Sequence, residues 1–109
     1  MKKKLFISIP MTGQFNTVKS RYLKALEKIK ADETLKEYEI VLPVDMEFFD
    51  DEGYHGEDKP LSYYLSKDVE LVLESDAIYS CLGWEESKGC NVERTVAKIY
   101  NLELFSEKM

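Results

Sequence analysis

Short apolar runs alternate with amphipathic stretches along this chain. Residues 5–9 (LFISI) form an apolar run with β-branched and aromatic members, and the Pro10 that follows predicts a buried strand that runs into a loop. Apolar residues then recur at helical spacing, with Lys and Glu on the opposite side, and predict a first helix over residues 17–30. A second strand is predicted at residues 38–42 (YEIVL).

The second half of the chain repeats this alternation after an acidic interruption. Residues 44–59 contain seven Asp or Glu residues and two glycines, and they are the only candidate for a long loop. Pro60 suits the first position of a second helix, which we expect over residues 60–74. Three further elements are expected, namely a strand at residues 76–82, a helix over residues 89–100 and a last strand at residues 102–105.

The order of these elements predicts the fold class. Strands that alternate with amphipathic helices form right-handed βαβ units, so we expect an α/β fold with a parallel sheet. Ligands of such open sheets bind outside the carboxyl ends of the strands, which points to residues 10–16, 44–56 and 83–93. A chain of 109 residues fills one core, so we expect a single domain over residues 1–109.

The overall charge narrows the expected partners. With 21 acidic and 15 basic residues and a formal charge of -6, the chain is a poor match to nucleic-acid polymers, which clustered Lys and Arg bind. No apolar run approaches the roughly 20 residues that span a bilayer, so we expect no membrane partner and a cytoplasmic location. Cys81 and Cys90 lack the spacing of a zinc site and are expected to be buried, reduced thiols, so no metal is predicted.

The segment at residues 83–93 (GWEESKGCNVE) holds the most informative motif. It leaves a strand, turns through two glycines and opens a helix, so the backbone N–H groups of Gly89 and Cys90 would face the crevice and favour an anion. Ser87 could hydrogen-bond a phosphate there, or it could cap the helix. A single glycine and serine turn is a weak signal, so an ordinary helix cap stays open as the alternative.

Two carboxylates stand out by position. Glu93 is predicted near the end of the first turn of the third helix, where the helix dipole lowers the pKa of a carboxyl group. Such a carboxylate can attack the anomeric carbon of a sugar, or it can merely complement the dipole on the surface. Asp68 lies on the same face of the second helix as Leu61 and Val72, where a carboxylate needs a structural hydrogen bond or a ligand. Both roles stay open for Asp68.

Four other residues are weaker candidates. Asp76 opens the third strand and is expected to fix a turn, and His55 is expected to be a solvated loop residue. Trp84 and Phe15 could offer flat surfaces to a base, or they could belong to the core or to a subunit interface.

Several segments of the chain, taken together, match a known pattern. They are LFISIPMTG at residues 5–13, the helix with Asp68, SDAIY at residues 75–79, and GWEESKG at residues 83–89 followed by Glu93. In this combination the chain resembles the nucleoside 2-deoxyribosyltransferase-like superfamily, and most closely its small DUF4406 branch. The resemblance implies a flavodoxin-like three-layer sandwich with a four-stranded parallel sheet in the order 2-1-3-4.

The resemblance also implies roles for particular residues. Members of the superfamily cleave the N-glycosidic bond of 2'-deoxynucleosides through a glutamate that forms a covalent deoxyribosyl intermediate, and Glu93 matches that glutamate. An aspartate that binds the sugar in relatives stands eight residues before the strand-opening aspartate, as Asp68 stands before Asp76. No metal or organic cofactor is implied. Substrate contacts are implied for Ser87, Gly89, Cys90, Phe6, Ser8, Pro10, Met11, Gly13 and Trp84.

Departures from the family pattern refine this expectation. Ser87 stands where transferases usually carry an aspartate, whereas the related deoxynucleoside 5'-monophosphate N-glycosidases have a phosphate-binding serine there, which favours a nucleotide substrate. Phe6 replaces a common tyrosine, so a hydroxyl group is missing, and Ile9 replaces a common glycine. Later residues of relatives complete the site of a neighbouring subunit, whereas this chain ends at Met109, so we expect a homo-oligomer, a dimer or higher.

The sequence therefore predicts an enzyme that cleaves the N-glycosidic bond of a 2'-deoxynucleoside or its 5'-monophosphate through Glu93, with Asp68 at the sugar. Transfer to a second base and hydrolysis by water are both open, since only the acceptor differs. Two alternatives from other classes also stay open, namely a non-catalytic nucleotide-binding module and a purely structural oligomer.

Overall fold

Strands and helices alternate along the chain in the computed structural model, which describes residues 2–109. In chain order the elements are strand β1 (Lys4–Ser8), helix α1 (Val18–Ala31), strand β2 (Glu39–Val41), short strands β3 (Phe49–Asp50) and β4 (Gly53–Tyr54), helix α2 (Leu61–Leu73), strand β5 (Ala77–Ser80), helix α3 (Lys88–Ile99) and strand β6 (Glu103–Ser106). Within residues 2–109, no helix has both the length and the apolar character needed to cross a membrane.

Four strands form one parallel sheet in the order β2-β1-β5-β6, which confirms the predicted α/β class and strand order. The register places Leu5 beside Ala77 and Ser8 beside Ser80, so β1 and β5 end together. Helices cover both faces of this sheet, consistent with a flavodoxin-like three-layer fold. Parallel strands covered on both faces read as apolar runs, which explains the sequence of β1.

The two faces of β1 pack against different helices. Leu5 and Ile7 belong to one core cluster with Val18, Ala25 and Ile29 of α1. Phe6, between them in the chain, belongs to a second cluster with residues of α2 and α3. Because side chains alternate along a strand, Ser8 lies on the same face as Phe6 and is fully buried on the side of α2 and α3.

The acidic segment contains a small hairpin that the sequence did not predict. Strands β3 and β4 pair antiparallel, and the carboxylate Oδ1 of Asp50 accepts hydrogen bonds from the N–H groups of Glu52 and Gly53 at 2.8 and 3.1 Å. The φ of Gly53 is +129°, a conformation that suits glycine. The prediction of a long loop over residues 44–59 missed this hairpin, because two-residue strands are too short to show a periodic pattern.

The bounds of the other elements lie close to the predicted ones. Helix α2 begins at Leu61, with Pro60 as the preceding cap residue rather than the first helical residue that we expected. The β5 strand, at Ala77–Ser80, is shorter than predicted.

The structure shows where several of the weaker candidate residues lie. Cys81 and Cys90 are free and buried, as predicted. His55 is exposed and lies 3.0 Å from the carboxylate of Asp50, so it is a loop residue, as expected. The carboxylate of Asp76 accepts a hydrogen bond from the N–H of Lys4 at 2.7 Å, which joins the start of β5 to the start of β1.

Candidate active site

Four buried polar side chains belong to segments that meet where β1 and β2 end. Ser8 is the last residue of β1, Asp45 follows β2, Asp68 lies on α2 and Glu93 on α3. Ser8 is fully buried, and the three acids are 6 to 7% exposed. Carboxyl groups are rarely buried unless they are paired, so their burial near one another marks a candidate functional site.

Glu93 is fixed by a hydrogen bond to the sheet. The hydroxyl of Ser8 donates to Oε1 of Glu93 at 2.6 Å, within the buried interior. Burial raises the pKa of Glu93 to about 8; the Ser8 hydrogen bond opposes that rise, and the charges of Asp68 and Asp45 add to it. Glu93 is therefore held in one orientation, close to two other carboxyl groups.

Two expectations for Glu93 were wrong. Helix α3 begins at Lys88, so Glu93 lies in its second turn, outside the first turn where the helix dipole acts most strongly. The pKa is raised rather than lowered, because desolvation by burial outweighs the hydrogen bond from Ser8. The alternative of a surface glutamate was also wrong, since the residue is only 6% exposed.

Asp68 and Val72 are buried against the sheet, as their spacing on the second helix predicted. The prediction was wrong for Leu61, the first residue of α2, which is 65% exposed. The carboxylate Oδ1 of Asp68 accepts a hydrogen bond from the N–H of Val44 at 2.8 Å, which ties α2 to the segment after β2. Burial raises the pKa of Asp68 to about 7; the Val44 bond opposes this rise and the charge of Asp45 adds to it. The structural hydrogen bond that we considered is present, and it involves one of the two carboxylate oxygens.

Asp45 is a buried acid whose importance the sequence did not reveal. It is 7% exposed, and its Oδ1 atom is buried without a hydrogen-bond partner among residues 2–109. Burial raises the pKa of Asp45, and its own backbone N–H opposes the rise. The signal that could have singled it out is its position as the first acid after β2, at the carboxyl end of a parallel strand.

Ser87 caps the start of α3, which is one of the two roles that the sequence left open for it. The hydroxyl oxygen of Ser87 accepts a hydrogen bond from the N–H of Cys90 at 3.3 Å. A Cβ atom added to Gly89 would meet no atom within 4 Å among the described residues, so open space surrounds this glycine. Binding of a phosphate at Ser87, Gly89 and Cys90 stays a prediction.

The opening segment places its residues at different depths. Phe6 is fully buried in the core, so the structure does not bring its ring to the surface of the crevice. Pro10 is buried, and its carbonyl accepts a hydrogen bond from Nη2 of Arg21 at 2.6 Å. Met11 is half-buried, while Gly13 is exposed with a φ of +79°.

The loop at residues 83–87 is held by two residues of α3 that the sequence did not indicate. The side-chain amide of Asn91 donates to the carbonyls of Trp84, Glu85 and Ser87 at 2.9 to 3.1 Å. The guanidinium of Arg94 lies 4.5 Å from the centre of the Trp84 ring and donates to the hydroxyl of Ser80 at 2.8 Å. One face of Trp84 is therefore covered by a cation.

Open depressions of the surface lie away from the acids. One of about 360 Å³ is lined by Lys3, Thr34 and Tyr38, and another of about 300 Å³ lies beside Trp84 and Arg94. Over residues 2–109, no three His, Cys, Asp or Glu side chains are grouped so that they could hold a metal ion. Ser8, Asp45, Asp68 and Glu93 are all buried, and we call them the acid cluster.

The fold and the acid cluster define an α/β domain with buried carboxyl groups at the ends of parallel strands. The sequence model of the DUF4406 family, described as a domain of unknown function, matches residues 3–106, and the chain belongs to this family. This match confirms the DUF4406 part of the resemblance. A search of curated proteins returns no match to the chain.

Proposed function

We propose that the chain is a nucleoside 2-deoxyribosyltransferase-like enzyme that cleaves the N-glycosidic bond of a 2'-deoxynucleoside or its 5'-monophosphate. The observation that carries this proposal is Glu93, a buried carboxyl group oriented by the Ser8 hydroxyl and close to Asp68. Such a group can act as a nucleophile, because its position is fixed and its solvation is low.

In the first step the ionised Glu93 carboxylate attacks C1' of the deoxyribose. A C1'–O bond forms, the C1'–N bond breaks, and the base leaves with the bonding electron pair and takes up a proton. The Ser8 hydroxyl stabilises the ionised form of Glu93 and holds its orientation, since it donates to Oε1. Phe6 stands where relatives commonly have a tyrosine and so lacks its hydroxyl group. In this proposal Ser8, two residues later on β1, supplies a hydroxyl group instead.

Asp68 binds the sugar or assists the departing base in this proposal. Its Oδ1 atom is held by the N–H of Val44, so its other oxygen is the one to contact a ligand. A pKa of about 7 lies where an acid or base group can both give and accept a proton at neutral pH.

A 5'-phosphate would lie at the start of α3, near Ser87, Gly89 and Cys90. The N-terminus of a helix of this length favours an anion, and the open space beside Gly89 leaves room for one. Water as the acceptor of the second step would give hydrolysis only, whereas a second base would give exchange.

The test is a chromatographic screen of the deoxynucleosides and their 5'-monophosphates for free base, with and without a second base. We expect release of base, and Glu93→Gln should lower it by at least about 1000-fold. Glu85→Gln, in the exposed loop before α3, is the matched control and should retain activity. Retained activity in Glu93→Gln would remove the mechanism.

A non-catalytic nucleotide-binding module is the second candidate, and the raised pKa of Glu93 favours it. With a pKa of about 8, Glu93 is mostly protonated at neutral pH and is then a poor nucleophile. Calorimetry would in that case detect nucleotide binding, while long incubation at pH 8 to 9 would release no base.

The proposal includes a cytoplasmic homo-oligomer, with no nucleic-acid polymer or membrane as partner. Large apolar side chains are exposed along α2 and α3, which lie on the same face of the sheet, namely Leu61, Leu73, Val92 and Ile99, with Tyr100 just beyond α3. A second copy of the chain could cover them. Light scattering should show a dimer or larger species, and Ile99→Asp should shift it toward the monomer.

A further inference from the structure

Asp45 combines deep burial with an unused hydrogen-bonding atom. It opens the single-turn helix Met46–Phe48, where its carbonyl accepts a hydrogen bond from the N–H of Phe48 at 3.1 Å. Its carboxylate Oδ1 is buried, with no hydrogen-bond partner among residues 2–109. Nearly all buried polar atoms in folded proteins have a partner, so this oxygen is an exception that requires an explanation.

The groups around Asp45 do not supply the missing donor. Asp68 and Glu93 are acids whose pKa values its charge raises, and each already accepts a bond from elsewhere. The hydroxyl of Tyr54, whose pKa burial and its neighbours raise, is bonded to Tyr64 and to the carbonyl of Glu57 instead.

The basic side chains of the same segment are also engaged. Lys59 pairs with Glu57, and His55 pairs with Asp50. None of these groups donates to the Oδ1 atom of Asp45, so this atom is free to accept a hydrogen bond from a ligand.

Aromatic rings lie in the segment that carries Asp45 and in contact with it. Phe48 is 42% exposed and lies edge-on to Tyr54, with 6.3 Å between ring centres. Phe15 is 46% exposed and lies 6.4 Å from the same ring. Flat apolar surface beside a hydrogen-bond acceptor suits a planar heteroaromatic group that carries an N–H donor.

We propose that Asp45 determines base specificity, by accepting a hydrogen bond from the exocyclic amino group of a nucleobase through its Oδ1 atom. This inference rests on the proposed function, since it assigns the base of the same substrate. It predicts that amino-bearing bases are preferred, because a base without the amino group leaves the Asp45 oxygen unpaired in the complex.

The test compares two nucleotides that differ only in the amino group. They are 2'-deoxyadenosine 5'-monophosphate and the 5'-monophosphate of purine 2'-deoxyriboside, and both Kd and kcat/KM are measured. We expect the wild type to prefer the amino-bearing nucleotide by at least about tenfold. Asp45→Ala should reduce this ratio to near one.

Two further variants sharpen the comparison. Asp45→Asn keeps a carbonyl acceptor and should retain a larger preference than Asp45→Ala. Asp51→Ala, in the exposed turn of the β3–β4 hairpin, is the matched control and should keep the ratio of the wild type. Asp45→Ala should also melt no lower than the wild type, since it removes no side-chain bond of Oδ1 to residues 2–109.

The outcomes separate this inference from the proposed function. Binding with an amino preference but without release of base would remove the enzyme and leave the inference intact. Binding or turnover with no preference, or a preference unchanged in Asp45→Ala, would overturn the inference alone. No binding of either nucleotide would overturn both.

Discussion

The two faces of the central sheet differ in what they bury. On the α1 side, β1 contributes Leu5 and Ile7 to an apolar cluster, beside which the buried carboxylate of Glu107 pairs with Lys28 of α1 at 2.8 Å. On the α2 and α3 side, the strand ends carry Ser8 and Ser80, and their hydroxyls bond the successive α3 residues Glu93 and Arg94. The first, apolar face thus packs around one paired carboxylate. The second, polar face buries several acids and hydroxyls where the strands end.

This difference indicates where function is located. Apolar burial needs no partner, whereas each buried polar group needs a hydrogen bond or a ligand. The acid cluster lies on the polar side, so substitutions on the two faces should change different properties of the molecule.

The largest expected effect on stability comes from the apolar face. Ile7→Ala should lower the free energy of unfolding by about 2–5 kcal/mol, because it leaves a cavity in a fully buried site. Chemical denaturation measures this loss. The pKa of Glu93 should stay unchanged in a variant that remains folded, and a shifted pKa would show that the two faces are coupled.

An effect of similar size is a pH dependence that originates at Glu93. The pKa of a glutamate is about 4.5 when unperturbed and about 8 here, so between these values the folded protein holds a proton that the unfolded chain has lost. Stability should therefore fall as the pH rises from about 4.5 to 8, by about 1.4 kcal/mol per pH unit from this group.

Denaturation of the wild type and Glu93→Gln across this range tests that dependence. The glutamine cannot ionise, so the variant should lose less stability with rising pH than the wild type. Glu85→Gln, at an exposed position, should follow the wild-type curve. Parallel curves for the wild type and Glu93→Gln would contradict the raised pKa.

A smaller effect is expected from the serine that holds Glu93. Ser8→Ala removes a hydrogen bond to the carboxylate, which should raise the pKa of Glu93 further and cost about 1.5–3 kcal/mol when Glu93 is ionised. The pH at which stability stops falling reports this pKa. Ser80 lies on the neighbouring strand, and its hydroxyl accepts a hydrogen bond from Arg94 instead. Ser80→Ala should therefore leave the pH at which stability stops falling unchanged.

The smallest effect concerns the loop before α3. Asn91→Ala removes the side-chain bonds to three loop carbonyls and should destabilise the loop by about 1 kcal/mol. Trp84 is the single tryptophan of the chain, so its fluorescence reports the loop directly. We expect altered emission in Asn91→Ala and unchanged emission in Lys24→Ala, an exposed residue of α1.

Periodicity was sufficient to predict the main elements of the fold. The helices and the four long strands repeat apolar residues over enough positions for the pattern to be distinct, and the βαβ order then fixed the parallel sheet. The same reasoning placed Asp68 on the face of α2 that meets the sheet, because that inference needs only helical spacing.

Properties that depend on tertiary contacts were not predictable in this way. The pKa of Glu93 was expected to fall, since helix position is visible in the sequence and desolvation by distant residues is not. Asp45 was one of seven acids in its segment, and only the fold separates it from exposed neighbours such as Asp51. The bond between Ser8 and Glu93 joins residues 85 positions apart.

The most direct measurement is the mass of the protein during turnover. The protein is mixed with a 2'-deoxynucleoside 5'-monophosphate, quenched with acid after short times, digested and analysed by mass spectrometry. We predict that the peptide with Glu93 carries one added deoxyribosyl phosphate group, and that Glu93→Gln carries none. Release of base with no adduct, or with an adduct on another peptide, would contradict nucleophilic attack by Glu93.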